Sequence, residues 1–277
     1  MENRTLGTLA ELAGHALDHV THLPAWSLAA HLVVGAVVVL LQQRMRGSRR
    51  FSDWNEFLCT LLWITWTLET SVISFASSNL HGHFYLFLRL LLWPLLSHDA
   101  CVNPLNSVYL AITEGSLRSI PHRLGIQLVA MVTGLVYSVL CWHVLGNLLS
   151  EVHLDFMSSR LSPFLNVTLS EGFLLELTMS FVMYLPRLVM SSGFTCTFVS
   201  AVLTCVMILC LEHTTGAFMN PLVALSSSLL WHYSSLSPAR VWEMTVVYWI
   251  GPLTGTVLVA RLDLWMSRQQ KLKLHSS

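Results

Sequence analysis

Two copies of the tripeptide Asn-Pro-Leu constrain the fold of this chain more than any other feature. They are Asn103-Pro104-Leu105 and Asn220-Pro221-Leu222. Asn is a good helix N-cap and Pro is favoured at the first helical position, so each tripeptide predicts the start of a helix. The apolar runs that follow, Ser107–Ile112 and Val223–Trp231, are shorter than the roughly 20 residues that cross a bilayer. This pattern predicts two half-helices that begin inside a membrane and line a pore or a binding cavity.

The composition is that of a polytopic membrane protein. Hydrophobic residues make up 54% of the 277 residues, charged residues make up 11%, and the mean hydropathy is +0.61, whereas soluble domains carry about 25% charged residues. The basic residues form small clusters at the ends of apolar segments, which argues against nucleic-acid binding.

Neither the cysteines nor the histidines predict a metal site or a cofactor. The six cysteines contain no C-x-x-C pair and indicate neither a disulfide framework nor a zinc site. His15, His19 and His22 share one helix face, but no acidic or Cys ligand completes a set. A solvated or interfacial helix is therefore favoured over a metal site.

Seven apolar segments predict membrane-spanning helices. The first, Pro24–Gln43, is interpreted as a retained extra N-terminal helix, because basic residues follow it and no small-residue cleavage site is apparent. The other six cover residues 56–78, 84–97, 124–146, 171–190, 194–211 and 242–265.

The positive-inside rule orients these spans. With Arg44–Arg50 in the cytosol, ten Lys and Arg residues fall on the cytosolic side and three on the other side. The N-terminus is then lumenal or outside, and the C-terminus is cytosolic. Two glycosylation sequons, at Asn3 and Asn166, fall on the lumenal side.

The chain contains an internal repeat. Glu56 precedes Asn103 by 47 positions, and Glu176 precedes Asn220 by 44. Each unit has three full spans, an odd number, so the second unit enters the membrane inverted relative to the first, as in many channels and transporters. The predicted organisation is an N-terminal region with the extra helix (1–50), a first repeat (51–146), an extracytosolic connecting loop (147–170), a second repeat (171–266) and a cytosolic tail (267–277).

An inverted repeat places the N-termini of the two half-helices face to face near the bilayer midplane. Each end carries roughly half a positive charge, so this point repels cations, including protons. The amides of Asn103 and Asn220 are available to a neutral solute that exchanges its water contacts for them. The sequence therefore predicts a pore for small neutral molecules.

The sequence resembles the aquaporins over about residues 56–265. Besides the paired boxes, Thr215–Pro221 is similar to the family's second pore loop, and Val247–Gly255 matches the last-helix pattern Tyr-Trp-x-Gly-Pro-x-x-Gly. The altered boxes and the extra leading helix resemble the superaquaporins, the aquaporin 11/12 type. The resemblance implies an all-α fold of six spans plus two half-helices, a homotetramer, and an endoplasmic-reticulum, other intracellular or plasma membrane.

The resemblance also assigns a selectivity constriction. Val223 stands where the family usually has Arg, and Leu105 and Leu222 stand where it usually has Ala, so the centre is expected to be narrower or reshaped. We expect a mostly apolar, relaxed constriction that admits glycerol-sized or peroxide-like solutes as well as water. In family register it consists of Ala217, Ile208, Val223 and either His83 or Phe84.

Charges inside a membrane are costly and usually paired. Glu69 and Arg89 are expected at similar depth on neighbouring spans, where an ion pair would join the two helices. The alternative is that Arg89 replaces the missing constriction Arg. Glu56 and Glu176 resemble family glutamates that hold the half-helix loops through backbone N–H groups.

Three function classes remain open, and a passive channel is favoured. An inverted-repeat secondary transporter would need a coupling-ion site, and Asp99 is the one carboxylate close to either box. A non-conducting aquaporin relative with a structural role is kept open by the two leucines. An enzyme is not expected, because no H-E-x-x-H spacing and no partnered Ser or Cys nucleophile is evident.

Overall fold

The computed structural model describes residues 25–48, 50–148, 151–159, 165–190, 193–232 and 237–276, and Asn3 and the three N-terminal histidines lie outside them. The described residues form helices joined by short loops. In chain order the α-helices are α1 (Ala25–Met45), α2 (Phe51–Ala76), α3 (Asn79–Ser97), α4 (Pro104–Glu114), α5 (Ile120–Leu148), α6 (Val152–Ser158), α7 (Leu169–Val189), α8 (Phe194–Thr215), α9 (Pro221–His232), α10 (Pro238–Thr245) and α11 (Gly251–Ser276). A π-helical segment, Val246–Ile250, joins α10 to α11.

Five of the seven predicted spans are long and apolar enough to cross a membrane by length and composition: α2, α5, α7, α8 and the continuous stretch that contains α10 and α11. The other two are α1, whose described apolar part is His31–Met45, and α3. Helix α3 carries His83 and Arg89, which lower its hydropathy. The predicted all-α polytopic fold is confirmed.

The half-helices α4 and α9 begin at the two Asn-Pro boxes because each Asn caps its own helix. The Asn103 Oδ1 accepts the Leu105 N–H at 3.0 Å, and the Asn220 Oδ1 accepts the Leu222 N–H at 3.0 Å. Each Pro stands at the first helical position, where its missing N–H leaves no hydrogen bond unmade. Helix α4 ends at Gly115, whose φ of 75° is accessible to glycine without strain.

Equivalent helices of the two halves of the chain pack in equivalent pairs. Helix α2 lies along α5 in the first unit, and α7 lies along α11 in the second. Helices α3 and α8 pack against each other across the two units. Half-helix α4 packs against α11, and α9 packs against α5 and α2, so each half-helix is held by a helix of the other unit.

Glu69 joins four helices through a fully buried polar cluster. The Trp142 Nε1 of α5 donates to its Oε2 at 2.9 Å. The His153 Nε2 of α6 lies 3.4 Å from Oε1, and the His31 Nδ1 of α1 lies 3.7 Å from Oε2. The extra N-terminal helix is therefore attached to the core of the fold by a contact inside the helix bundle.

The expected ion pair between Glu69 and Arg89 is wrong. The Arg89 Nη1 donates instead to the Thr67 Oγ1 at 2.9 Å. Thr67 and Glu69 are two positions apart on α2, and two residues turn an α-helix by about 200°. Glu69 therefore faces α1 and α5, on the side of α2 opposite to Arg89.

Glycines allow the close approach of the paired helices. A Cβ added at Gly255 of α11 would strike the backbone carbonyl of Leu177 on α7. A Cβ added at Gly134 of α5 would lie 3.1 Å from the Leu61 carbonyl oxygen of α2. Backbone carbonyls in helices cannot rotate away, so a side chain at these positions pushes the helices apart.

We expect Gly255→Leu to lower the thermal unfolding midpoint of the detergent-purified protein, by an overpacking cost of about 1–3 kcal/mol. Gly125→Leu is the matched control, because a Cβ at Gly125 meets nothing within 4 Å. Equal midpoints for the two variants would contradict the close approach of α11 and α7.

Candidate functional site: a cavity between two half-helices

The loop before α4 is held by the carboxylate of Glu56. Its Oε2 accepts the Cys101 N–H at 3.0 Å, and its Oε1 accepts the Val102 N–H at 2.8 Å. The Gln127 Nε2 of α5 donates to the same Oε1 at 2.7 Å. Val102 has a φ of 52°, a conformation that is strained for a residue with a Cβ and persists when its surroundings hold it.

The loop before α9 is held in the same way by Glu176. Its Oε1 accepts the Phe218 N–H at 3.2 Å, and its Oε2 accepts the Met219 N–H at 3.1 Å. The Thr215 hydroxyl donates to Oε1 at 2.8 Å. Ala217 and Met219 both have a φ of 47°. A buried carboxylate thus fixes a strained loop in each half of the molecule.

The two loops meet at their asparagines. The Asn103 Nδ2 donates to the Met219 carbonyl oxygen at 2.9 Å, which links the first loop to the second. The Asn220 Nδ2 is buried and has no hydrogen-bond partner among the described residues. One amide therefore ties the loops together, and the other presents an unused donor.

Both asparagines line a cavity of about 400 Å³. Its walls come from α2, α3, α7, α8, the start of α9 and the two loops. Hydroxyl side chains follow one face of α2, namely Thr67, Thr70, Ser71 and Ser74. The cavity extends from Glu212, near the end of α8, to Arg187, near the end of α7. Because α7 and α8 are consecutive and antiparallel, these residues mark its opposite ends.

Four of the expected constriction residues line this cavity: His83, Ile208, Ala217 and Val223. Phe84, the alternative to His83, does not. Its side chain points away from the helix bundle with 61% of its surface exposed. Family register could not distinguish His83 from Phe84, because the choice depends on the rotation of α3 about its axis.

Glu212 is a polar group in the cavity wall that the sequence analysis did not assign. Its Oε2 lies 3.3 Å from the His83 Nε2, a distance for an ion pair although the pair is not aligned as a hydrogen bond. The Asn79 Nδ2 donates to its Oε1 at 3.1 Å. The sequence does contain a signal for Glu212: it follows Ile208 by four positions and therefore lies on the same helix face.

Arg89 also lines the cavity, and its side chain is only 3% exposed. Besides its hydrogen bond to Thr67, its guanidinium lies over the Trp63 ring, 4.6 Å from the centroid. His83 and Arg89 face the same space because the cavity spans a broad sector of α3. The expectation of a mostly apolar constriction concerns Ile208, Ala217 and Val223 and stays a prediction, while Arg89 adds a charge elsewhere in the cavity wall.

Comparison with known proteins agrees with this geometry. The model of the major intrinsic protein family matches residues 52–262. The chain belongs to the major intrinsic protein family. It is an integral multi-pass membrane protein of a family of channels for water and small solutes. The X-ray structure of the aquaglyceroporin from Plasmodium falciparum is similar in fold, with a TM-score of 0.58 and 17% identity over 76% of this chain and 94% of that chain. No curated protein sequence matches the chain.

The leucines that replace the usual alanines of the family's boxes lie outside the cavity. Leu105 packs in a buried cluster with Tyr109 and Tyr184, and Leu222 packs in a second cluster with Ile64 and other core residues. Both leucines are almost fully buried, and Pro104 and Pro221 likewise stand behind the cavity wall. The leucines therefore do not narrow the cavity, and the expectation that they reshape the centre stays a prediction.

Asn166, the sequon residue within the described part of the chain, is exposed next to the start of α7. Its Nδ2, the atom that a glycan would occupy, donates to the His213 carbonyl oxygen at 3.0 Å. Glycosylation at this site stays a prediction and would require this hydrogen bond to open.

We expect Glu176→Gln to lower both the unfolding midpoint and the water permeability of proteoliposomes. A Gln side chain has one acceptor oxygen, so one loop N–H at Phe218 or Met219 loses its partner, a cost of about 1–3 kcal/mol. Glu114→Gln makes the same chemical change at an exposed position and is the control. Similar losses in both variants would contradict the holding role of Glu176.

Leu222→Ala is expected to destabilise this channel-family protein without raising its solute permeability. The truncation leaves a cavity in the core, which costs about 2–5 kcal/mol, but it removes no atom from the cavity wall. The unfolding midpoint and the stopped-flow water permeability measure the two effects. A clear gain in permeability would mean that Leu222 obstructs the pore.

Proposed function

We propose that this protein is a passive channel for water and small neutral solutes, including glycerol and hydrogen peroxide. The observation that carries the proposal is the Asn220 Nδ2, which is buried with 4% of the residue exposed, lines the cavity, and has no partner within the described part of the chain. A buried donor without an acceptor costs about 1–3 kcal/mol. The oxygen of a water or polyol molecule at this point removes that cost.

The cavity wall is suited to a solute that has both hydroxyl and CH groups. On α2, Thr67 donates to the Trp63 carbonyl at 2.7 Å and Thr70 donates to the Trp66 carbonyl at 2.7 Å. The Thr70 oxygen is then left as an acceptor toward the cavity, whereas the Thr67 oxygen accepts an N–H of Arg89. Apolar wall comes from Leu86, Trp93 and Ile208 among others. A wall with a polar and an apolar side supports glycerol as a solute.

Two rival functions are less well supported. A secondary transporter needs a free carboxylate for its coupling ion, but both oxygens of Glu212 already face a partner, Asn79 or His83. A non-conducting relative with a structural role rested on the leucines of the boxes, which stand outside the cavity wall.

We also propose that the protein forms a homotetramer in the endoplasmic-reticulum membrane or another intracellular membrane. The support is the resemblance of the altered boxes and of the extra helix α1 to the superaquaporins. Cross-linking of the protein in native membranes, with the size of the products read on gels, tests the assembly, and fractionation of those membranes tests the location.

The channel proposal is tested by stopped-flow light scattering on proteoliposomes challenged with sucrose, glycerol or hydrogen peroxide. We expect water and glycerol permeabilities above those of empty liposomes. Ile208→Trp fills the cavity and is expected to reduce both fluxes at least several-fold. Leu209→Trp is the matched control, because the Leu209 side chain is exposed on the outside of α8.

The design separates a pore from a leak. Asn220→Asp places a negative charge at the half-helix N-terminus and is expected to change the flux while keeping the fold. If wild-type protein with a normal unfolding midpoint gives no flux for any solute, the channel proposal fails. Saturable, ion-dependent uptake would instead favour the transporter.

A further inference from the structure

We propose that the cavity contains a binding site for a small monovalent oxyanion, of the size of formate or nitrate, at Arg89. This inference concerns a charged ligand and does not rest on the permeation of neutral solutes. It is carried by two observations: a buried guanidinium without a carboxylate partner among the described residues, and an unused amide donor in the same cavity. The charges at the two ends of the cavity support it.

The guanidinium of Arg89 has no counter-charge within the part of the chain that the structure describes. The ion pairs within the described residues do not include it. Its contacts are the Thr67 hydroxyl and the Trp63 ring, both neutral, and its Nε has no hydrogen-bond partner among the described residues. A buried charge is costly unless it is paired, so a mobile anion is the missing partner.

The titratable neighbours of Arg89 do not supply that partner. Tyr85 lies one turn earlier on α3, and Cys205 lies on the facing helix α8. A Tyr phenol and a Cys thiol are protonated and uncharged at neutral pH, so neither group supplies a negative charge. The nearest carboxylate on α2, that of Glu69, faces the other side of its helix and is engaged by Trp142.

The rest of the cavity adds N–H donors and the positive ends of two helix dipoles, which the Glu56 and Glu176 carboxylates on the adjoining loops partly offset. Helices α4 and α9 both begin at the cavity, and each N-terminus carries roughly half a positive charge. The Asn220 Nδ2 adds an unused N–H donor. Arg89 itself lies near the middle of α3, about 15 Å along the helix from Asn79 at 1.5 Å per residue.

The two ends of the cavity have opposite charge. Arg187 is exposed at one end, where its guanidinium lies 5.4 Å from the centre of the Tyr184 ring. Glu212 stands at the other end, already contacted by His83. An anion is therefore attracted at the Arg187 end and is repelled at the Glu212 end, which favours retention near Arg89 over passage.

The planar shape of the Arg89 guanidinium indicates which class of anion binds. A guanidinium is planar and binds carboxylates and similar planar oxyanions through two parallel N–H donors. A cavity of about 400 Å³ shared with water admits anions of a few heavy atoms. Gluconate is the comparison because it has the same charge and carboxylate but adds a five-carbon polyol chain, so it tests whether the site selects small anions.

The test is the thermal unfolding midpoint of the detergent-purified full chain in sodium formate or sodium nitrate, compared with sodium gluconate at equal ionic strength. We expect a midpoint that rises with formate or nitrate and saturates, since a ligand that binds the folded state stabilises it. Arg89→Gln should lose this rise. Arg268→Gln removes the same charge at an exposed site and should keep it. The proposal is overturned if the wild-type midpoint is the same in all three salts.

A second measurement covers the case in which Arg89→Gln does not fold. Iodide is a small anion that quenches Trp fluorescence, and Trp63 lies under Arg89. We expect one saturable component of iodide quenching that is absent in Trp63→Phe and is relieved by formate. Quenching by neutral acrylamide should not respond to formate. Quenching that is linear in iodide and identical in Trp63→Phe would overturn the proposal.

Neither readout depends on solute flux. An inactive channel that still binds formate at Arg89 would leave this inference standing and remove the proposed function. A conducting channel whose unfolding midpoint does not depend on formate would support the proposed function and overturn the anion site.

Discussion

The structure depends on the satisfaction of backbone N–H groups where the chain is irregular inside the membrane. An N–H group that faces the protein interior and not the cavity has no water to bind, so it must find a partner in the protein. Glu56 and Glu176 supply these partners to Val102 and Met219, two residues with positive φ. The strain of the loops is therefore tolerated because each loop is bonded to a helix that spans the bundle. The positions of Asn103 and Asn220, and with them the cavity, follow from these contacts.

In each half a Glu carboxylate accepts two N–H groups of the loop, but the side chain that donates to that carboxylate differs between the halves. In the first half Gln127, from helix α5, donates to Glu56. In the second half Thr215, from the end of α8, donates to Glu176, and the Tyr248 hydroxyl in turn donates to the Thr215 carbonyl oxygen at 2.8 Å. The repeat thus preserves the geometry of the loops while the supporting side chains diverge. A comparison of the halves by sequence identity alone would miss this equivalence.

Local signals were sufficient for the start of the half-helices, because an Asn cap followed by Pro acts within one turn. The repeat of Glu56 and Glu176 also emerged from the sequence, since its spacing is regular. Properties that depend on the rotation of a helix about its axis could not be predicted from the sequence. The pairing of Glu69 with Arg89 was wrong because equal depth does not imply facing sides, and Phe84 was indistinguishable from its neighbour for the same reason. Glu212 lies one helical turn after Ile208, so the i, i+4 rule places it on the same face, whereas family register points to Ile208 alone.

The position of positive charge distinguishes this cavity from the pattern that the family resemblance implied. Val223 leaves the usual Arg position of the second loop apolar, while Arg89 brings a guanidinium to the middle of α3. Trp63 and Thr67 hold this charge in place on the helix. Arg89 lines the same cavity as the two half-helix N-termini, whose positive ends are partly offset by the Glu56 and Glu176 carboxylates. A positive charge in this cavity therefore does not require a charged residue at position 223, and the end of the cavity opposite to Arg187 carries Glu212.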